Sequence, residues 1–249
     1  TFEVNITGTN DAPVITSGSS GAVAENAATT TVIYTASATD ADAGDTRTYS
    51  LKAATGDDSS LLNIDTTTGA VTLKASADYE TRPSYSFTVV ATDTANTSTE
   101  QAVTVAVTNV NDEAPVFTTT NLSTTYTDTA ATDTFANSTG TFSATDVDTT
   151  TLSYGISGGT VSGSTITRVG TYGTLSINSA TGAYTYTPNN NAINALSTTA
   201  SDAFTVSVSD GSLSATTNYT VTLNGVNEAP SNTFNTTVTL TPGTGGTIT

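Results

Sequence analysis

The chain has 249 residues, enough for two domains of ordinary size or one large one. With no His and no Cys, it cannot carry Ser–His–Asp or Cys–His catalysis, a zinc site of the usual nitrogen and sulfur type, or a disulfide. Lys and Arg number 5 against 22 Asp and Glu, a net charge of −17 that repels nucleic acid and anionic lipid and favours hard divalent cations.

Strand-like alternation begins at residues 2–7 and returns at 31–36, 49–51, 70–74, 85–91 and 102–108. It resumes at 152–156, 173–177, 183–187, 203–208 and 217–223. Gly44-Asp45, Thr68-Gly69, Thr181-Gly182 and Asp210-Gly211 mark turns between these runs. A helix-like stretch at 191–196 is too short to set the class. Thr makes up about a quarter of the chain and suits the solvent face of strands. Hydrophobic content of 35% with only 11% charged residues fits thin β-sandwiches better than disorder. No apolar run approaches a membrane span, and no segment has signal-peptide regions. The chain lacks Met and is expected to be a piece of a longer protein.

The strands fall into two copies. Asn10-Asp11-Ala12-Pro13, Asn111-Asp112-Glu113-Ala114-Pro115 and Asn227-Glu228-Ala229-Pro230 each follow an alternating run. Their spacing of roughly 100 residues means tandem domains, not a solenoid. Ala38-Thr39-Asp40-Ala41-Asp42 recurs as Ala144-Thr145-Asp146-Val147-Asp148, and Thr68-Gly69-Ala70 recurs as Thr181-Gly182-Ala183. The second copy carries insertions, placed at 157–172 and 189–199. About seven short strands per copy is the sandwich signature. The expected fold is all-β: two tandem Greek-key β-sandwiches joined by short linkers. The expected boundaries are 1–12 for the end of a preceding repeat and its linker, then 13–112 and 113–227 for the two domains. Residues 228–249 would begin a further repeat.

Acids inform by position. Asp57, Asp58, Asp65, Asp133, Glu3 and Glu100 read as solvated surface. Glu25, Asp78 and Glu80 can meet at one pole of the first copy, and Asp146, Asp148 and Asp210 at one pole of the second, with Asn111-Asp112 between. No cluster of Lys or Arg offsets these carboxylates, so either water separates them or cations hold them together. Ca²⁺, with six to eight oxygen ligands, suits such a site.

The first copy resembles a cadherin repeat. Ala24-Glu25-Asn26, Asp40-Ala41-Asp42, Ala77-Asp78-Tyr79-Glu80, Ala91-Thr92-Asp93 and Asn109-Val110-Asn111-Asp112-Glu113 follow the order of the family's five acidic motifs. Ala and Tyr replace Leu and Arg in the third. Asn and Glu replace Asp and Asn in the fifth. The second copy resembles the VCBS repeat of large bacterial surface proteins, through Ser143 to Asp148, Tyr172-Gly173-Thr174-Leu175, Gly182 to Asn189 and Phe204 to Gly211. The combination is similar to the extender region of secreted RTX and biofilm adhesins.

That resemblance implies about three Ca²⁺ ions at the middle linker. Glu25, Asp78, Glu80 and Asp112 would hold the ions nearer the first copy, and Asn111, Asp146, Asp148 and Asp210 the one nearer the second. Backbone carbonyls of Val110 and Glu113 would complete the shells. Asn10, Asp11, Asp40, Asp42 and Asp93 would form a weaker site at the first linker. The third linker, with Glu228 and Asp128, would be poorest. The function implied is a calcium-stiffened, monomeric spacer on the bacterial cell surface. Its partners would be adjacent repeats of the same chain, with no nucleic acid and no membrane insertion, and it would hold a distal ligand-binding domain away from the cell. A module that binds carbohydrate or a second copy is the alternative, with Tyr172, Tyr184, Tyr186 and Phe135 either stacking on sugar or packing in the core. No residue pair supports an enzyme.

Overall fold

The strand pattern of the sequence is realised in two β-sandwich units. The computed structural model describes residues 2–3, 8–120 and 122–227 of the chain. The expected strand at 2–7 and the expected third repeat from Glu228 onward lie largely outside them. Internal contacts divide the chain into Thr1–Glu113 with Val147–Thr149, and Ala114–Asp146 with Thr150–Thr249. Residues 147–149 therefore pack with the first unit, although they lie beyond its expected boundary.

The first unit contains β1 (Val14–Ile15), β2 (Ser20–Ala24), β3 (Val32–Thr35), β4 (Ala38–Thr39), β5 (Thr48–Leu51), β6 (Leu62–Ile64), β7 (Ala70–Leu73), β8 (Ser84–Thr92) and β9 (Ser98–Thr108). One sheet has the order β2-β9-β8-β5 and the other β3-β7-β6, while β1 pairs with β4. Period two explains the core. Tyr85, Phe87, Val89 and Ala91 of β8 point inward with Val103, Val105 and Val107 of β9. They meet Ile33, Tyr34, Leu62, Val71 and Leu73 from the opposite sheet. Each buried Val, Leu, Ile or Phe side chain among these contributes about 1.5–3 kcal/mol.

In the second unit, β10 (Val116–Phe117) pairs with β13 (Ala144–Thr145). A four-stranded sheet has the order β11 (Ser123–Thr127), β20 (Ser214–Asn224), β19 (Ala200–Ser209), β14 (Ser153–Ile156). A five-stranded sheet runs β12 (Ser138–Thr141), β18 (Ala183–Pro188), β17 (Gly173–Asn178), β16 (Thr165–Val169), β15 (Thr160–Ser162). The first predicted insertion forms the β15–β16 hairpin. The second contains α1 (Asn190–Asn194), capped by Asn189, whose side chain accepts from Ala192 N. This short helix does shape the unit. Asn190 and Asn194 accept from Phe135 N at 3.1 Å and Asp133 N at 2.7 Å.

Strand β2 runs parallel to β9 in five registered pairs, from Ser20↔Thr104 to Ala24↔Thr108. Likewise β11 runs parallel to β20, from Ser123↔Thr220 to Thr127↔Asn224. All other strand pairs are antiparallel among the described residues.

The recurrent Thr-Gly-Ala turn requires its glycine. Gly69 and Gly182 both have φ of 71°. A Cβ there would lie 2.3 Å from Ala36 O and 2.1 Å from Phe142 O respectively.

Candidate metal centre

The core strands of the first unit end in turns that carry acids. Glu25 follows β2 directly and is 4% exposed. Its backbone N donates to Thr108 O at 3.1 Å, which extends the β2–β9 pairing by one step. Its carboxylate accepts from Val110 N at 2.5 Å and Tyr79 N at 2.7 Å. Two backbone donors thus fix the side chain between the linker and the turn before β8.

Carboxylate oxygens of Glu25, Glu80, Asp112 and Asp148 lie within 4.8 Å of one another, all in the first unit. Asp148 Oδ2 accepts from Asp112 N at 3.1 Å and Glu113 N at 2.9 Å, and Asn26 donates to Asp112 Oδ2. Loss of water around its carboxyl raises the pKa of Glu80, and the hydrogen bond with Asp148 and the charges of Glu25 and Asp148 add to it. Asn111 Oδ1 is buried without a hydrogen-bond partner among the described residues. The four converging carboxylates form an all-oxygen donor set, which fits Ca²⁺ and suits neither zinc nor copper.

Other expected ligands are placed differently. Asp78 turns its carboxylate to Thr81 N at 2.9 Å and Thr81 Oγ1 at 2.8 Å, and those bonds lower its pKa. It joins no acid group among the described residues. Asp146 and Asp210 belong to the second unit, and Asp210 Oδ1 accepts from Ser212 N and Leu213 N at 2.6 and 2.7 Å. The N–H groups of Val110 and Glu113 are committed to Glu25 and Asp148, as given above, which orients the linker backbone.

A second group joins Asp40, Asp45 and Asp93. Asp45 was not expected there. Asp93 is 5% exposed and accepts from Asn10 Nδ2 at 2.9 Å and Thr97 N at 2.8 Å, bonds that lower its pKa, the Asn10 bond most. Asp40 Oδ1 accepts from Asp42 N, while its Oδ2 is buried without a hydrogen-bond partner among the described residues. Asp42 instead accepts from Asp11 N at 2.7 Å.

The sequence reading also missed Asp202, 6% exposed in the core of the second unit. Thr171 N, Tyr172 N and Tyr186 Oη donate to it at 2.9, 2.8 and 3.2 Å. The signal was its parity on β19, shared with Phe204, Val206 and Val208. Burial, and then the charge of Asp202, push the Tyr186 hydroxyl far up; Tyr184 rises to about 12, chiefly through burial. The four aromatics considered for sugar stacking all pack against the second core. Tyr184 stacks on Phe142 at 4.5 Å, and Phe135 meets Tyr126 edge-on at 5.6 Å.

Comparisons with known proteins agree with this architecture. Residues 19–108 match the family model for the Cadherin domain, and residues 112–225 that for the Bacterial cadherin-like domain. The first unit is thus similar to a cadherin domain and the second to a bacterial cadherin-like domain; cadherin-like domains are structural and adhesion modules, and cadherin domains are generally calcium-binding. Protocadherin Fat 4 of Mus musculus is 38% identical over 97 residues, which are 38% of this chain and 2% of that relative. The chain therefore spans a small fraction of the relative's length. Mouse cadherin-23 EC22-24 superposes with a TM-score of 0.63 at 20% identity, covering 88% of this chain and 67% of that one. Drosophila N-cadherin EC1-4 gives 0.63 at 23%, covering 88% and 50%. At these identities the solved structures speak for the fold. No helix among the described residues is long and apolar enough to cross a membrane.

Proposed function

We propose that this chain is a calcium-stiffened extender from a large bacterial cell-surface adhesin, with a VCBS-type second repeat, projecting a distal ligand-binding domain for adhesion or biofilm formation. The observation that carries this is the convergence of Glu25, Glu80, Asp112 and Asp148 in a chain with only 5 Lys and Arg. These four would hold Ca²⁺, with Asn111 and linker carbonyls as further donors. The bound cation supplies positive charge that lets the carboxylates stay close. The chain's own contribution is orientation. Glu25 is pinned by two backbone N–H groups, and Asp148 accepts from two consecutive linker amides. Extracellular modules of this kind bind calcium with Kd of about 10⁻⁴–10⁻³ M. The linker is then stiff outside the cell and loose where calcium is scarce.

Small-angle scattering with 1–5 mM calcium and with chelator tests this at ionic strength near 0.15 M. The maximum dimension should grow with calcium. An unchanged scattering curve and an unchanged melting curve would make these acids solvated surface.

A further inference from the structure

We propose that each unit is a clamp built to be loaded in shear, and that Glu25 locks the first clamp while the second lacks such a lock and yields first under tension. The biological use of such a clamp rests on the extender reading above.

A tethered extender is pulled from its two ends. In each unit the pull therefore enters through an early strand and leaves through the last one. In both units those strands are parallel neighbours, β2 with β9 and β11 with β20, in five registered pairs each. Opposite pulls on parallel neighbours slide them past each other along their length. All the ladder bonds are then strained together. Antiparallel neighbours pulled from adjacent ends would instead open one bond at a time. The leading strands β1 and β10 have only two registered pairs each, against five in each parallel clamp.

The two clamps differ at one equivalent position. Glu25 and Asp128 each follow the early strand, and each donates its backbone N–H to the last residue of the final strand, Thr108 O at 3.1 Å and Asn224 O at 2.9 Å. Both side chains are buried, at 4% and 1% exposure. Glu25 reaches two backbone amides, one beyond β9 at Val110 and one at Tyr79. To slide, β2 must break these charge-assisted bonds as well as its ladder. Asp128 is one methylene shorter, and among the described residues neither of its oxygens has a hydrogen-bond partner. The second unit has a different tie, Thr124 Oγ1 to Tyr219 Oη at 2.6 Å, but it joins neutral hydroxyls. The first clamp is latched by a carboxyl group held on two backbone amides, and the second has no such latch at Asp128 among the described residues.

Optical-tweezers stretching of the whole chain, held at its two ends in 1 mM calcium and again in chelator, tests this. Two unfolding events are expected. Between its clamp ends the second unit holds more residues, so its event is longer by roughly 45 Å. The longer event should come first. Glu25→Ala should raise the unfolding rate of the first unit under load about 10- to 100-fold. Asp128→Glu should slow the second by about 10-fold or more. Thermal melting checks that both variants fold. The wild-type order and a change of pulling direction need neither variant. Handles on Ser20→Cys and Thr104→Cys, a registered pair, peel β2 from β9 and should open the first unit at a much lower force. A shorter event first, or equal forces in the two directions, would overturn the clamp. Loss of calcium dependence with the order intact would instead sink the extender reading alone.

Discussion

Replacing Asp202 with Ala removes the acceptor of three donors in the second unit. Thr171 N and Tyr172 N hold it at 2.9 and 2.8 Å, and Tyr186 Oη at 3.2 Å. A hydrogen bond to a charged group is worth about 1.5–3 kcal/mol, and the long tyrosine bond falls at the low end. Against this, the variant no longer keeps a carboxylate away from water, which recovers part of the sum. The net loss should be about 3 kcal/mol, or about 10–20 °C in the melting temperature of that unit. Tyr186→Phe removes only one bond and should cost about 1 kcal/mol. Urea unfolding followed by tyrosine fluorescence measures both. Hydrogen exchange should show Thr171 and Tyr172 amides losing protection first, because the turn into β17 hangs on this carboxylate. If Asp202→Ala cost less than 1 kcal/mol, or no more than Tyr186→Phe, the carboxylate would not be the anchor of that turn.

Asp112→Ala should remove most of the calcium-dependent stabilisation, which at about 1 mM calcium amounts to roughly 0.4–1.4 kcal/mol per site; calorimetry with and without calcium reads it. Gly182→Ala should destabilise the second unit by about 1–3 kcal/mol, since φ is 71° and the new Cβ meets Phe142 O; a melting curve shows this. Asp65 has a lowered pKa through hydrogen bonds from Thr68 and Thr67. Its stabilising contribution is therefore complete above the unfolded value near 3.9 and is lost as pH falls through the lower folded value. Carboxyl NMR should show Asp65 titrating below an ordinary aspartate, and a normal titration would refute the turn bonds.

The long strands were legible because both cores need period-two runs, as in 85–91 and 203–208. The short or Thr-rich strands were not. Ser20–Ala24 and Ser123–Thr127 carry little apolar alternation, and their parallel pairing is specified by partners about 85 to 97 residues away, visible only in three dimensions. At the candidate metal centre, residue type and motif order brought forward Glu25, Glu80, Asp112 and Asp148. They did not reveal that Thr81, two residues beyond Tyr79, takes the Asp78 carboxylate for a local turn. Nor did they reveal Asp45, which the bend after Asp42 swings toward Asp93. Local side-chain-to-backbone bonding competes with ligation, and motif spacing alone does not decide between them.

The parallel terminal strands also bear on how neighbouring repeats avoid exchanging them as the chain folds. By register, Gly21 of β2 stands where Thr124 stands in β11, and Val23 where Tyr126 stands. A Cβ on Gly21 would lie 2.6 Å from Ile33 O. Were β11 to dock beside β9, Thr124 would collide with that carbonyl and Tyr126 would overfill the place of a valine. Were β2 to dock beside β20, Gly21 would not supply the hydroxyl that Thr124 gives Tyr219. Tandem copies of one fold are prone to such mispairing while their strand edges are still open. Here the mismatch in side-chain size makes each edge a poor host for its neighbour's strand.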